Sequence, residues 1–103
     1  MLRAVPPHHA ATNTTISVVA LNVALTKVEL HQVARAASAA YARRIGPSGS
    51  TFDGDVIFAV SPLDGRRAAL PQVEIVATRA LEDAIERGVR LARGRDGVPG
   101  LAD

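Results

Sequence analysis

Two short stretches carry residue types that could do chemistry together. The first is Asn13-Thr14-Thr15-Ile16-Ser17-Val18-Val19-Ala20-Leu21-Asn22, in which two threonines lead into an apolar run. That is the pattern of a buried strand whose first residue stays chemically available. A Thr hydroxyl is a useful nucleophile only with a base beside it. Cutting the Asn13–Thr14 bond would supply one: the freed α-amine of Thr14 has a reference pKa of about 7.7–8.0, so part of it is neutral near neutral pH. The same residues also read as an ordinary strand start with a polar edge, and the pattern leaves both readings open.

The second stretch is Asp53-Gly54-Asp55, at the mouth of the apolar run Val56-Ile57-Phe58-Ala59-Val60. In extended backbone residues i and i+2 point to one face, about 6.6 Å apart along the strand. Gly54 lets another backbone or a ligand come close. Two carboxylates on one face would titrate as a coupled pair. They could hold a nucleophile's hydroxyl and stabilise a neighbouring ammonium. Asp-Gly is equally a frequent turn dipeptide, which makes the stretch a turn that opens a strand.

Little else in the composition offers chemistry. There is no Cys, which excludes thiolate metal sites, disulfides and cysteine nucleophiles. His8-His9 lack a third ligand and read as solvated lead, so neither metal nor cofactor is expected. The calculated pI near 9.9 points toward nucleic acid, but the net charge is only +2. Eleven of the twelve basic residues are Arg, and Glu82, Asp83 and Glu86 are interspersed with Arg79, Arg87 and Arg90. With aromatics at 3% there is almost nothing to stack on bases, so nucleic acid is not expected as a partner. No run approaches 18 apolar residues, so no membrane span is expected and a cytoplasmic location is the default.

The elements that must position the two stretches follow from periodicity. A strand is expected over 14–22. Thr26-Lys27-Val28-Glu29 is a capping box that opens a helix over 27–44. Its stripe of Leu30, Val33, Ala34, Ala37, Ala40, Tyr41 and Ile45 is rich in Ala and would pack very close to its cover. Gly46-Pro47 ends it. A second strand over 55–60 is apolar throughout, which predicts burial on both faces. Asp64-Gly65 is a turn, and Pro71 suits the first turn of a helix running to Arg93 and ended by Gly94. The order is strand, helix, strand, helix in one domain-sized piece. If the strands are parallel neighbours, right-handed crossovers place both helices on one face. Two strands are too few for an independent sheet, so apolar surface is left over.

Taken together, the pattern NTTI-VVA-N--LTK followed by FDGD-IFA resembles a known family. It is similar to the self-processing L-aminopeptidase/D-amidase/esterase (DmpA-type) peptidases, which include β-peptidyl aminopeptidases and nylon-oligomer hydrolases. The resemblance covers residues 13–93 and the β-chain portion only. It implies an α+β fold, the β-α-β-α portion of an αββα sandwich similar to N-terminal-nucleophile hydrolases. It implies self-cleavage between Asn13 and Thr14, Thr14 as nucleophile, and Asp53 and Asp55 as its supporting acids. Residues 1–13 then form an irregular lead before the cleavage site, 14–94 the catalytic portion, and 95–103 a loose tail. Val56 stands where Thr often follows the FDGD motif, and the family's long α chain, which carries oxyanion-hole donors, has no counterpart here.

The function implied is an amide- or peptide-bond hydrolase acting on short peptides or amino-acid amides, with the α-chain segment as partner and a homo-oligomer as the assembly. A catalytically silent fragment that serves as an interaction module is the alternative. On its own the chain is expected to be inactive, uncut at Asn13–Thr14 and prone to associate through its apolar strands.

Overall fold

The computed structural model describes residues 14–45 and 55–103. Its first helix begins where the capping box is. The Thr26 backbone N–H donates to Glu29 Oε1 at 2.9 Å, and the Glu29 backbone N–H donates to Thr26 Oγ1 at 3.1 Å. Two of the donors that a helix start leaves orphaned are thereby satisfied. Helix α1 runs Lys27–Ala37 and helix α2 Ala39–Arg44. The single helix expected over 27–44 is therefore broken at Ser38. Its hydroxyl donates to the Arg35 carbonyl at 2.6 Å, and a side chain that competes for backbone groups in this way loosens or bends a helix. At Ile45 the chain turns extended and α2 ends.

Helix α3 runs Leu70–Arg90, with Pro71 in its first turn, where no backbone donor is needed. It passes through Gly88 and stops at Leu91, short of the expected Arg93. The segment after it is exposed but folded back. Ala102 N–H donates to Ala92 O at 2.9 Å, and the Asp103 carboxylate accepts from the backbone N–H groups of Gly94 and Gly100.

Strands β1 (Ile16–Ala20) and β2 (Val56–Val60) pair in parallel, Ile16 opposite Val56 and Ala20 opposite Val60. Parallel neighbours need a crossover, and α1 with α2 supplies it. Each strand turns one face to the helices. Ser17 and Val19 on β1, and Ile57 and Ala59 on β2, are covered or half-covered. Val19 joins Val33, Ala37, Ala40, Tyr41, Val73, Ala77 and Leu81 in one core, so all three helices lie on the same face of the sheet. Ala37 and Ala40 of the stripe are wholly buried and Ala34 is half-buried, and their small side chains let α1 and α2 approach α3 closely. Arg43 and Glu82, 2.9 Å apart, close the α2–α3 seam at the surface, where such a pair is worth about 0–1 kcal/mol.

The other face of the sheet is bare. Ile16, Val18, Val56, Phe58 and Val60 point outward, with Val18 62% and Phe58 54% exposed. The expectation that 55–60 is buried on both faces is not met in this chain, because the helices supply cover for one face only. The molecule is a mixed α/β unit with a small parallel two-stranded sheet, consistent with an α+β class. Among the described residues no helix is long and apolar enough to cross a membrane.

The capping box gives a pH signature. Glu29 is held below its ordinary pKa, chiefly by the hydrogen bond from the Thr26 backbone N–H; desolvation opposes this, and the Thr26 hydroxyl and the Arg67 guanidinium add to the lowering. A depressed carboxyl stabilises the fold fully above its unfolded value, about 4.3 for Glu, and the contribution is lost as pH falls through the folded value. Helical circular dichroism of the wild type should therefore decline more steeply below about pH 4.3 than that of Glu29→Gln, whose amide does not titrate. Superimposable acid limbs for the two proteins would contradict this role.

Candidate active site

A parallel pair brings the starts of both strands to the same end of the sheet. The two stretches singled out by their chemistry both lie immediately before a strand, so the pairing draws them together. Thr14 is exposed, two residues ahead of β1, and Asp55 is half-buried, one residue ahead of β2. Asn13 and Asp53, the other two residues read as site members, lie outside the described residues, as do His8 and His9.

The contact at this end is made through Thr15. Its backbone N–H donates to Asp55 Oδ1 at 3.2 Å, and its carbonyl accepts from the Val56 backbone N–H at 2.9 Å. Both polar groups of the residue following Thr14 are thus held by the head of β2. A charge-assisted bond to a carboxylate is stronger than a neutral one. The strand Thr14 enters is consequently fixed on the carboxylate, while the Thr14 side chain itself remains open to solvent.

A residue that the sequence placed only in an apolar stripe also belongs to this end. Tyr41, the chain's single tyrosine, is buried on α2 with 4% of its surface exposed. Its hydroxyl lies 3.0 Å from the Val56 carbonyl, 2.6 Å from Ser17 Oγ and 3.4 Å from the Thr15 carbonyl. The available signal was the amphipathic ring: a buried Tyr must find a partner for its O–H. The opposite end of the strand pair is tied separately, by Leu21 N–H to Val60 O at 2.9 Å and by Leu25 N–H to Ser61 Oγ at 3.3 Å.

Beside the strand heads a groove of about 540 Å³ runs along β2, lined by Asp55, Val56, Tyr41, Ser38, Arg35 and His31 among others. A depression of about 640 Å³ among Ala36, Arg43, Glu74 and Arg79 is larger but holds none of the strand-head residues. Among the described residues no three His, Asp or Glu gather as a metal site requires. The carboxyls held below their ordinary range, Glu29 and Asp103, lie elsewhere. Backbone N–H donors to each are the chief cause.

Removing the Asp55 carboxylate should loosen the head of β1 and leave the far end intact. In Asp55→Ala, deuterium exchange at the Thr15 amide should accelerate by about tenfold or more, the worth of a hydrogen bond to a charged acceptor. Exchange at the Leu21 amide should hardly change. Equal acceleration at both ends would mean that Asp55 supports the fold at large.

The chain matches the sequence profile of Peptidase family S58 over residues 2–97. It is 44% identical over 57 residues to a 6-aminohexanoate-oligomer endohydrolase of Agromyces sp. (strain KY5R), an alignment covering 55% of this chain and 16% of that protein. It is 35% identical over 105 aligned positions to an "Uncharacterized aminopeptidase" of Mycobacterium tuberculosis (strain ATCC 25618 / H37Rv), covering 88% of this chain and 30% of that protein. The chain thus spans less than a third of the length of these relatives. No solved structure gives a significant match. With nearly its whole length matched, strand heads and helices included, the chain belongs to Peptidase family S58.

Proposed function

We propose that this chain is the β-chain portion of an amide- or peptide-bond hydrolase, with Thr14 as an N-terminal nucleophile released by self-cleavage at Asn13–Thr14. The observation that carries the reading is the hydrogen bond from the Thr15 N–H to Asp55, which tethers the residue after the nucleophile to the carboxylate motif. Family membership and the hydrolase names of the relatives support the reaction class.

The chemistry runs in two steps. The Thr14 α-amine takes the proton of its own hydroxyl as the oxygen attacks the substrate carbonyl. The ammonium so formed is stabilised by the carboxylates of Asp53 and Asp55. It then returns the proton to the leaving amine as the C–N bond breaks, leaving the acyl group on Thr14 Oγ. Water, deprotonated by the same amine, releases the acid and restores the hydroxyl. An uncut chain has an amide at Thr14 in place of the amine, so self-cleavage must come first. In that step the Thr14 hydroxyl attacks the Asn13 carbonyl and water hydrolyses the resulting ester. Oxyanion donors, commonly worth about 2.7–4 kcal/mol each, would come from the α-chain segment.

That segment is also the proposed cover for the bare sheet face, completing an αββα sandwich by packing a second sheet on Val18, Phe58 and Val60. Short peptides, amino-acid amides or amide-linked oligomers are the proposed substrates, and a cytoplasmic homo-oligomer is the proposed assembly. A second reading, a silent module that docks through its apolar face, is favoured by one observation: five large apolar side chains stand exposed on one surface.

Two measurements separate the readings. The 103-residue chain alone should keep its full mass, hydrolyse no amide above background and scatter light as an oligomer. Supplied with an α-chain segment of the family, it should lose residues 1–13 and gain amidase activity. Thr14→Ala should abolish that activity, a loss of at least about a thousandfold, whereas Thr14→Ser should keep part of it. Activity that survives Thr14→Ala would remove Thr14 from the mechanism.

A further inference from the structure

We propose that Tyr41 is a positioning residue for the nucleophile: its hydroxyl locks the heads of β1 and β2 together and so holds the Thr14 segment on the Asp55 carboxylate. The proposal rests on the reading of Thr14 as nucleophile and adds a residue from a different element, helix α2.

The proton count decides the geometry. A phenol has one hydrogen to give and lone pairs to receive. Of the two carbonyls within reach, Val56 O at 3.0 Å lies within the ordinary range and Thr15 O at 3.4 Å beyond it, so the proton goes to Val56. The Ser17 hydroxyl, 2.6 Å away, then donates to the phenol oxygen. The result is an unbroken series of bonds. Asp55 accepts from Thr15 N–H, Thr15 O accepts from Val56 N–H, Val56 O accepts from Tyr41, and Tyr41 accepts from Ser17. Each strand contributes one residue to it, Ser17 and Val56, and each strand's lead-in another, Thr15 and Asp55, so that it reaches within one residue of Thr14.

Packing alone does not call for this hydroxyl. The ring sits in the core with Val33, Ala37 and Ala40, and Phe would fill that space equally well. A buried hydroxyl is costly unless bonded, so its presence here reflects the bonds it makes. The far ends of the strands are held by Leu21–Val60 and Leu25–Ser61, independently of Tyr41. Loss of the hydroxyl therefore frees the active end selectively. A displacement of about 1 Å at a reacting group can cost about a hundredfold in rate.

The test is Tyr41→Phe, which keeps the ring, with Ser17→Ala as the second variant. Hydrogen–deuterium exchange of the 103-residue chain is read by mass spectrometry with fragmentation to single amides, which tolerates association. Exchange at Thr15 and Val56 should accelerate by about tenfold in Tyr41→Phe, the effect of one hydrogen bond. It should rise less in Ser17→Ala, and stay within about twofold at Leu21 and Leu25 in both, well short of a lost hydrogen bond. Uniform acceleration or none at the strand heads would overturn the proposal. In the hydrolase assembled with an α-chain segment, Tyr41→Phe should lower kcat by about ten- to a hundredfold and leave KM within about twofold. The Thr14→Ala control keeps the two claims apart. If Thr14→Ala is still active, the nucleophile reading fails and Tyr41 loses its role with it. If Thr14→Ala is silent while Tyr41→Phe retains full kcat, only the role given to Tyr41 fails.

Discussion

The parallel pairing of β1 with β2 decides that the Thr14 segment and Asp55 meet. Had the two strands run antiparallel, the Thr14 segment and Asp55 would stand at opposite ends of the sheet. With Ile16 opposite Val56, both strand heads meet, and Thr15 lies against the Asp55 carboxylate. Parallel strands need a long connection between them, and the capped helix α1 with its continuation α2 fills it. That connection in turn brings Tyr41 back over the strand heads. Helix and register are thus linked: the element that makes parallel pairing possible also delivers a side chain that bonds to the heads of both strands.

The energetic balance is uneven. On the helix side small side chains let three helices close over two strands with Val33 fully buried. On the other side Ile16, Val18, Val56, Phe58 and Val60 keep large apolar surfaces in water. Burying such a side chain is worth about 1.5–3 kcal/mol, so a face with five of them is a strong attachment surface. A two-stranded sheet with one open face and free edges is marginal by itself. Under the proposed function this is the face on which an α-chain segment would pack.

What was legible in the sequence is what is encoded locally. The capping box from Thr26 to Glu29, the Ala-rich stripe and Pro71 fixed three boundaries closely, because caps and helical periodicity depend on residues three or four apart. The break at Ser38 was not legible, since a Ser hydroxyl that bonds back to Arg35 looks like any polar residue on a helix. The first strand proved shorter than 14–22: Leu21 bonds Val60, but Asn22 already turns toward α1. The meeting of the Thr14 segment with Asp55 depended on register, which no local pattern states; the family resemblance of the two motifs supplied it. Tyr41 was read for its ring, and its hydroxyl acquires meaning only once the strands it bridges are in place. The apolar run 56–60 predicted burial on both faces, and the described helices cover one of them.

The most direct test of the account is to trap the acyl intermediate. The hydrolase, assembled with an α-chain segment, would be mixed with a small amide, quenched in acid within one turnover, and its peptides sequenced by tandem mass spectrometry. Thr14 should be a new N-terminus, and the substrate's acyl mass should sit on that residue's hydroxyl. An acyl group found on any other side chain, or turnover by protein still joined at Asn13–Thr14, would contradict the account.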